Sequence, residues 1–226
     1  MAGKVYSEGR MLEKAGQQLH FDTPISILEK PHPWVSRGGI KLAHAIDHFE
    51  IDVEGKNALD IGASTGGFTD VLLANGASSV YAVDVGYGQL ASKLRNDNRV
   101  TVLERTNARY LTRELIPKRI DIITCDVSFI NLRTVLPASL QMAILGTCLL
   151  ALIKPQFESG RENIRKGGIV KDPLVHGEVC KNVSDWLLAQ KGWFIRGICE
   201  SPITGLKGNK EFLLGATFNP QNSIVT

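Results

Sequence analysis

No two of the four cysteines stand close together. Cys125, Cys148, Cys180 and Cys199 are scattered along the chain with no C-x-x-C pair. That spacing argues against a zinc motif and against a disulfide framework, so reduced thiols of a cytoplasmic protein and no bound metal are expected. A long apolar run is also missing. The longest, Met142 to Ile153, falls short of the roughly 20 residues needed to cross a bilayer. No charged-then-apolar leader is visible at the start, and a membrane location is not expected. A large excess of charge of one sign is missing too: 26 basic against 23 acidic residues leave a net charge of +3, which by itself does not point to nucleic acid, so the distribution of charge must decide. Histidine is scarce, and His176 is the only one after His48.

What is present suffices for one full domain with at most a small appendage: 226 residues, 43% of them hydrophobic. The stretch Asn57-Ala-Leu-Asp-Ile-Gly-Ala-Ser-Thr-Gly-Gly-Phe-Thr69 reads as a buried strand, a glycine turn and a helix start. Gly62, Gly66 and Gly67 allow a sharp turn and close approach to a ligand. Three ligand-handling readings compete, beside a glycine turn that binds nothing. A dinucleotide fingerprint wants G-x-G-x-x-G, and Ser64 stands where its second glycine belongs. A nucleophile elbow wants G-x-S-x-G, which Gly62-Ala-Ser-Thr-Gly66 matches. The third is the S-adenosylmethionine loop of a Rossmann-like methyltransferase. Ser79-Val-Tyr-Ala-Val-Asp84, one βαβ repeat later, ends in an acid placed for ribose hydroxyls. That suits both nucleotide-type ligands and gives a hydrolase nothing. A hydrolase also needs a histidine downstream, and His176 sits in what reads as a helix start.

Further strands are expected at 99–103, 121–126, 146–153, 193–199 and 211–218. Helices are expected from Ile40 to Phe49, with Ile40, Ala43, Ile46 and Phe49 inward, from Asn131 to Met142, kinked or broken at Pro137, and from Asp172 to Gln190, capped by Asp172. Lys41 lies near a helix start, where the dipole disfavours a cation; the ordinary reading is a surface lysine. Gln156 to Asp172 reads as a mildly basic loop. Residues 1–30 offer short strands within Lys4–Arg10, Leu19–Phe21 and Pro24–Leu28, too little for a core of their own, followed by a proline-rich linker. The alternation of strands and helices predicts an α/β fold with a seven-stranded doubly wound sheet, its crevice at the carboxyl ends of the strands. Gly62, Asp84, Asn107, Asp126 and Lys154 all fall at such ends. Asn107 could meet an adenine edge or be a simple loop asparagine.

The stretches VSRGGIKL, ALDIGASTGGFTDVLL, VYAVDVG, ERTNAR, CDVSFI, LIKPQFE, GGIVKDP and GNKEFL run from Val35 to Phe212. In them the chain resembles the TlyA (haemolysin A) group of FtsJ-type ribosomal RNA 2′-O-methyltransferases. The resemblance implies a catalytic tetrad at Lys41, Asp126, Lys154 and Glu211. It implies S-adenosylmethionine at Asp60, Gly62, Ser64, Gly66, Asp84, Asn107 and Asp126. It implies ribosomal RNA or ribosomal subunits as partner, with cytidines of 16S and/or 23S rRNA as targets. Candidate RNA contacts are Arg37, Arg161, Arg165, Lys166, Lys171, Lys207 and Lys210. Lys154 is the candidate to orient and deprotonate the hydroxyl. A neutral lysine at pH 7 needs its pKa lowered by roughly three units from about 10.4; desolvation and Lys41 push that way, while Asp126 and Glu211 push back. A charged Lys154 would instead stabilise the alkoxide.

Residues 3–28 resemble the tail of an S-four-type RNA-binding module, whose basic helices are absent from this sequence. The expected organisation is a module remnant over 1–30, a linker over 31–37 and an FtsJ-like methyltransferase domain over 38–220, with weak binding to rRNA as a consequence. Two other functions stand beside this one: a membrane-active haemolysin, as the family's name suggests, and a non-catalytic RNA-binding protein. The first lacks a spanning segment. Two carboxylates facing anionic RNA argue against the second.

Overall fold

The computed structural model describes residues 5–7, 9–12, 16–27, 32–165 and 167–223, with the backbone alone at Ile27, Arg161, Leu206, Asn222 and Ser223. The chain divides into two compact units, Met1–Pro33 and Trp34–Thr226.

In the first unit, β1 (Val5–Ser7) pairs antiparallel with β2 (Arg10–Met11) on one side and β3 (Ile25–Ile27) on the other. Gly9, at φ +77°, makes the turn between β1 and β2. The strand expected at Leu19–Phe21 does not form. Thr23 N–H instead donates to the His20 carbonyl at 3.0 Å, closing a turn over Phe21 and Asp22. Lys4, Leu28 and the linker residues 29–31 lie outside the described residues.

The second unit is built on seven strands: β4 (Asn57–Ile61), β5 (Ser79–Val83), β6 (Val100–Leu103), β7 (Ile120–Cys125), β8 (Ala143–Ile153), β9 (Trp193–Glu200) and β10 (Phe212–Phe218). They lie in the order β6-β5-β4-β7-β8-β10-β9. The five from β6 to β8 are parallel, whereas β10 runs antiparallel to both β8 and β9. Side chains alternate between the faces, as the strand period of two requires. Ala58, Val80, Ile122, Leu150 and Leu213 face α1 (Gly38–His48), α2 (Gly67–Ala74) and α3 (Ser92–Arg95). Leu59, Tyr81, Ile123, Leu149 and Leu214 face α4 (Leu132–Val135), α5 (Pro137–Leu140) and α7 (Pro173–Leu188). Both faces are therefore covered, which is why the central strands read as continuous apolar runs.

Local chemistry sets the element ends. The single helix expected over 131–142 is two short ones because Pro137 cannot donate to the preceding turn and starts α5 afresh. Asn131 caps α4 by accepting from Thr134 N–H at 2.9 Å, and Asp172 caps α7 through Leu174 N–H at 2.9 Å. The buried face of α1 is Leu42, Ala45, Ile46 and Phe49, with Lys41 also buried. Ile40 and Ala43, expected inward, are half-buried at its margin. The stretch after Lys154 carries more structure than a loop: α6 (Pro155–Glu158) and a bridge between Arg165 and Ile169.

Candidate active site

The chain reverses its progress across the sheet at β4. β5 and β6 extend to one side, and β7 and β8 to the other. A crevice opens where two neighbouring strands diverge in this way. Ile61 is paired with Cys125, so the backbone leaves the sheet side by side at Gly62 and Asp126, and Asp126 N–H donates to the Ile61 carbonyl at 3.0 Å. Gly62 has φ +81°, and a Cβ there would stand 2.5 Å from the Asp126 carbonyl oxygen. No side chain fits at that position.

Two lysine–carboxylate pairs converge here. Lys154, the residue after β8, places Nζ 2.6 Å from Asp126 Oδ1 and donates to Ser128 Oγ at 3.1 Å. Lys41, in the first turn of α1, donates to Glu211 Oε2 at 2.5 Å. Glu211, just ahead of β10, answers the conflict between a cation and the positive end of a helix. Its carboxylate packs so close to Gly205 that a Cβ there would collide with it. Lys41, Lys154 and Glu211 are 8%, 8% and 3% exposed and Asp126 is half-buried, so the Lys41–Glu211 pair is removed from water and the Lys154–Asp126 pair keeps one edge open to the cavity.

The four side chains line one cavity of about 590 Å³, together with Ser36, Arg37, Gln156, Phe157, Lys207 and Asn209. A second cavity of about 570 Å³ lies beside it, lined by Asp84, Gln89, Asn107, Val85, Ile130 and Val135. Gly62, Ser64, Asp126, Ser128 and Phe129 belong to both walls. Phe129 is 87% exposed, lies at φ +66° and packs tilted on Phe157 with ring centres 5.1 Å apart. An exposed aromatic ring held at positive φ on a shared wall is a costly arrangement for folding alone.

In the second cavity, Asp84 accepts from Ser64 N–H at 2.8 Å and Gly86 N–H at 2.7 Å, which ties the glycine turn to the end of β5. Asn107 accepts from Arg109 N–H at 3.1 Å and keeps its side-chain amide as a donor. Two residues expected at the cofactor line neither cavity. Asp60 is fully buried inside β4, and both its oxygens are occupied, by the Thr69 hydroxyl at 2.6 Å and the Thr124 hydroxyl at 2.9 Å. Burial pushes its carboxyl up to about 6, with the two hydroxyls pulling the other way. Gly66 is the helix-start residue of α2 at φ +99°, and a Cβ there would run into Leu94 and Leu90. Asp60 and Gly66 support the turn from beneath.

An FtsJ-like methyltransferase model matches residues 34–218. The chain belongs to the FtsJ-like methyltransferase family. Its relatives include the Bacillus subtilis protein YqxC, 50% identical over 215 residues, which are 95% of this chain and 76% of that one. Another is the 16S/23S rRNA (cytidine-2′-O)-methyltransferase TlyA of Mycobacterium tuberculosis, 46% identical over 94% of this chain and 80% of its own. A solved structure of a hemolysin-named protein from Streptococcus thermophilus superposes with a TM-score of 0.81 at 41% identity, covering 97% of this chain and 80% of that one. Among the described residues no helix is long and apolar enough to cross a membrane.

The basic residues of this FtsJ-like domain are not gathered in one place. Arg37 and Lys207 line the tetrad cavity, Lys207 at φ +59°. Arg165 and Lys171 are exposed on the stretch after α6. Lys210 is already paired with Glu200 at 3.0 Å. Lys166 and the Arg161 side chain lie outside what the structure describes.

Several residues that shape the site went unassigned in the sequence. Asn209 accepts from Val170 N–H and donates to the Gly168 carbonyl, fastening the glycine-rich stretch to the β9–β10 connection. His176 reaches the Val170 carbonyl at 3.0 Å from α7. Glu158, raised by burial, accepts from Leu132 N–H at 2.7 Å and so anchors the far end of the segment that carries Ser128 and Phe129. The sequence signals were there in the S-F pair after β7 and the N-x-E spacing before β10.

Proposed function

We propose that this chain transfers a methyl group from S-adenosylmethionine to the 2′-hydroxyl of cytidine in 16S and/or 23S ribosomal RNA. One observation carries the reading: a buried and a partly buried lysine–carboxylate pair share a cavity, and that cavity shares a wall with a second one holding Asp84 and Asn107. Family membership supports the reaction class, and the name of the Mycobacterium tuberculosis relative supports the substrate.

The second cavity fits a nucleoside-type cofactor in size and in lining, being largely apolar with a few convergent polar groups. Asp84 retains lone pairs for a ribose diol after its two backbone bonds, and the Asn107 amide can donate to an adenine edge. When bound there, S-adenosylmethionine supplies an activated sulfonium methyl. Gly62, with no side chain, leaves the shared wall open between donor and acceptor. Phe129 offers an exposed face for the target base to stack on. Lys154 and Asp126 would hold the ribose hydroxyl in line, which is the proximity contribution, and would take its proton as the carbon–oxygen bond forms, the methyl–sulfur bond breaks and S-adenosylhomocysteine leaves. Lys41 and Glu211 flank the ribose from the other side.

Arg37 and Lys207 line the entrance to contact phosphates, with Arg165 and Lys171 beyond them. Arg161 and Lys166 belong to the same basic stretch. Lys210 contributes less because Glu200 already neutralises it. The three-stranded unit near the start is read as part of an RNA-binding module, with residues 31–37 as linker. The protein works in the cytoplasm, where its ribosomal partner is. The test is transfer of tritiated methyl from S-adenosylmethionine to purified 16S and 23S rRNA, with Lys154→Ala as control. Label in ribose 2′-O-methylcytidine supports the reading; label in base, DNA or protein, or none, overturns it.

A further inference from the structure

We infer that His44, His48 and Cys199 form a binding site for a zinc-type metal ion, outside the catalytic cavity. His44 and His48 are four residues apart on α1, so both rings project from one helix face. The rings stack with centres 5.8 Å apart and planes 25° apart. Cys199 reaches them from β9, the edge strand of the sheet, where it pairs with Leu213 on the side facing α1. Its sulfur and one nitrogen from each ring all lie within 4.8 Å of one another.

The geometry is close to what an ion requires. Zinc bonds of about 2.0–2.1 Å to nitrogen and 2.3 Å to sulfur put neighbouring ligand atoms roughly 3.3–3.7 Å apart. The three groups need to close by about 1 Å, within reach of side-chain rotation at two half-buried residues and one exposed one. Among the described residues, no hydrogen bond or ion pair engages the His44 ring, the His48 ring or the Cys199 sulfur, so their lone pairs are available. Two imidazoles and a thiolate exclude magnesium and calcium, which take oxygen, and favour zinc. The scattered cysteines led to the expectation of no metal. Cysteine spacing speaks only to cysteine pairs, whereas here one cysteine meets an H-x-x-x-H helix from about 150 residues away.

The site has a structural consequence. α1 carries Lys41 one turn before His44, and the β9–β10 hairpin carries Glu211 at its junction. A metal at His44, His48 and Cys199 would join the same two elements that the Lys41–Glu211 pair joins. It would act as a clip on the helix that presents Lys41.

The experiment uses the whole purified chain and zinc alone. After loading and gel filtration, elemental analysis should find one zinc per chain. His48→Ala, at an exposed position, and Cys199→Ser each remove a ligand and should weaken binding by at least the roughly 10–100-fold that loss of a supporting group costs, while keeping a native circular dichroism spectrum. Cobalt loading of the wild type should give a thiolate-to-metal charge-transfer band that Cys199→Ser lacks. Zinc held no more tightly by the wild type than by a His44→Ala, His48→Ala, Cys199→Ser triple variant would overturn the inference. So would a cobalt spectrum without the sulfur band.

Discussion

Lys41 and Glu211 stand 170 residues apart in the chain and meet at 2.5 Å, the lysine 8% and the glutamate 3% exposed. Each charge depends on the other, since an isolated buried ion is far costlier than a paired one. Glu211→Leu alone should destabilise the fold by about 3–5 kcal/mol because it strands the Lys41 ammonium. Adding Lys41→Met should recover most of that loss, and neither protein should methylate RNA. Urea denaturation of both variants checks this; a double variant less stable than the single would mean the pair is not the reason both residues are buried.

Gly62 lets two strands end against each other. Gly62→Ala forces a Cβ to within 2.5 Å of the Asp126 carbonyl at φ +81°. The cost should exceed about 1 kcal/mol, and Asp126 should move away from Lys154. The expected phenotype is a stability loss together with a fall in turnover. Wild-type turnover in a folded Gly62→Ala protein would show that the close approach of β4 and β7 does not set the Asp126–Lys154 geometry.

Cofactor binding and chemistry should separate by residue. Asp84→Ala removes a charged acceptor worth roughly 1.5–3 kcal/mol and should weaken S-adenosylmethionine about tenfold or more. Lys154→Ala should leave that affinity nearly intact and abolish methyl transfer. Calorimetry on the two folded variants decides; unchanged affinity in Asp84→Ala removes Asp84 from the cofactor site.

Asp60 carries a pH signature. Burial pushes its carboxyl up to about 6 in the folded protein, against about 3.9 in an unfolded chain. Between those values the folded state holds more protons, so this residue's contribution to stability falls as pH rises from about 4 to about 6 and stays low above that. The total change is on the order of 2–3 kcal/mol. Asp60→Asn should lack it. The difference between the two urea-stability profiles at pH 4 and pH 7 measures it, and parallel profiles would contradict the assignment.

The sheet was legible because its parallel strands are short apolar runs, and polar residues at their ends stand out. Gly62, Asp84, Asp126 and Lys154 each follow a strand directly. Asp60 lines neither cavity for a physical reason. It lies inside β4, and alternation turns it towards α2, where the Thr69 and Thr124 hydroxyls satisfy it. Nothing local in the sequence distinguishes an acid solvated by a ligand from one solvated by two threonines. The antiparallel place of β10 between β8 and β9 was hidden, since strand order is a tertiary property. Leu19–Phe21 failed as a strand because the Thr23–His20 turn takes the backbone first. The Lys41–Glu211 and His44–His48–Cys199 associations rest on α1 lying across the β9–β10 hairpin, which pattern alone does not reveal.

Whether Lys154 serves methyl transfer to a ribose hydroxyl is decided by nucleotide-resolved mapping of methyl groups on rRNA after reaction with this protein and S-adenosylmethionine. The expected result is 2′-O-methylation at cytidine, present with the wild type and absent with Lys154→Ala when both bind the cofactor equally well. Methylation that persists in Lys154→Ala, or that falls on a base in place of a ribose, would contradict it.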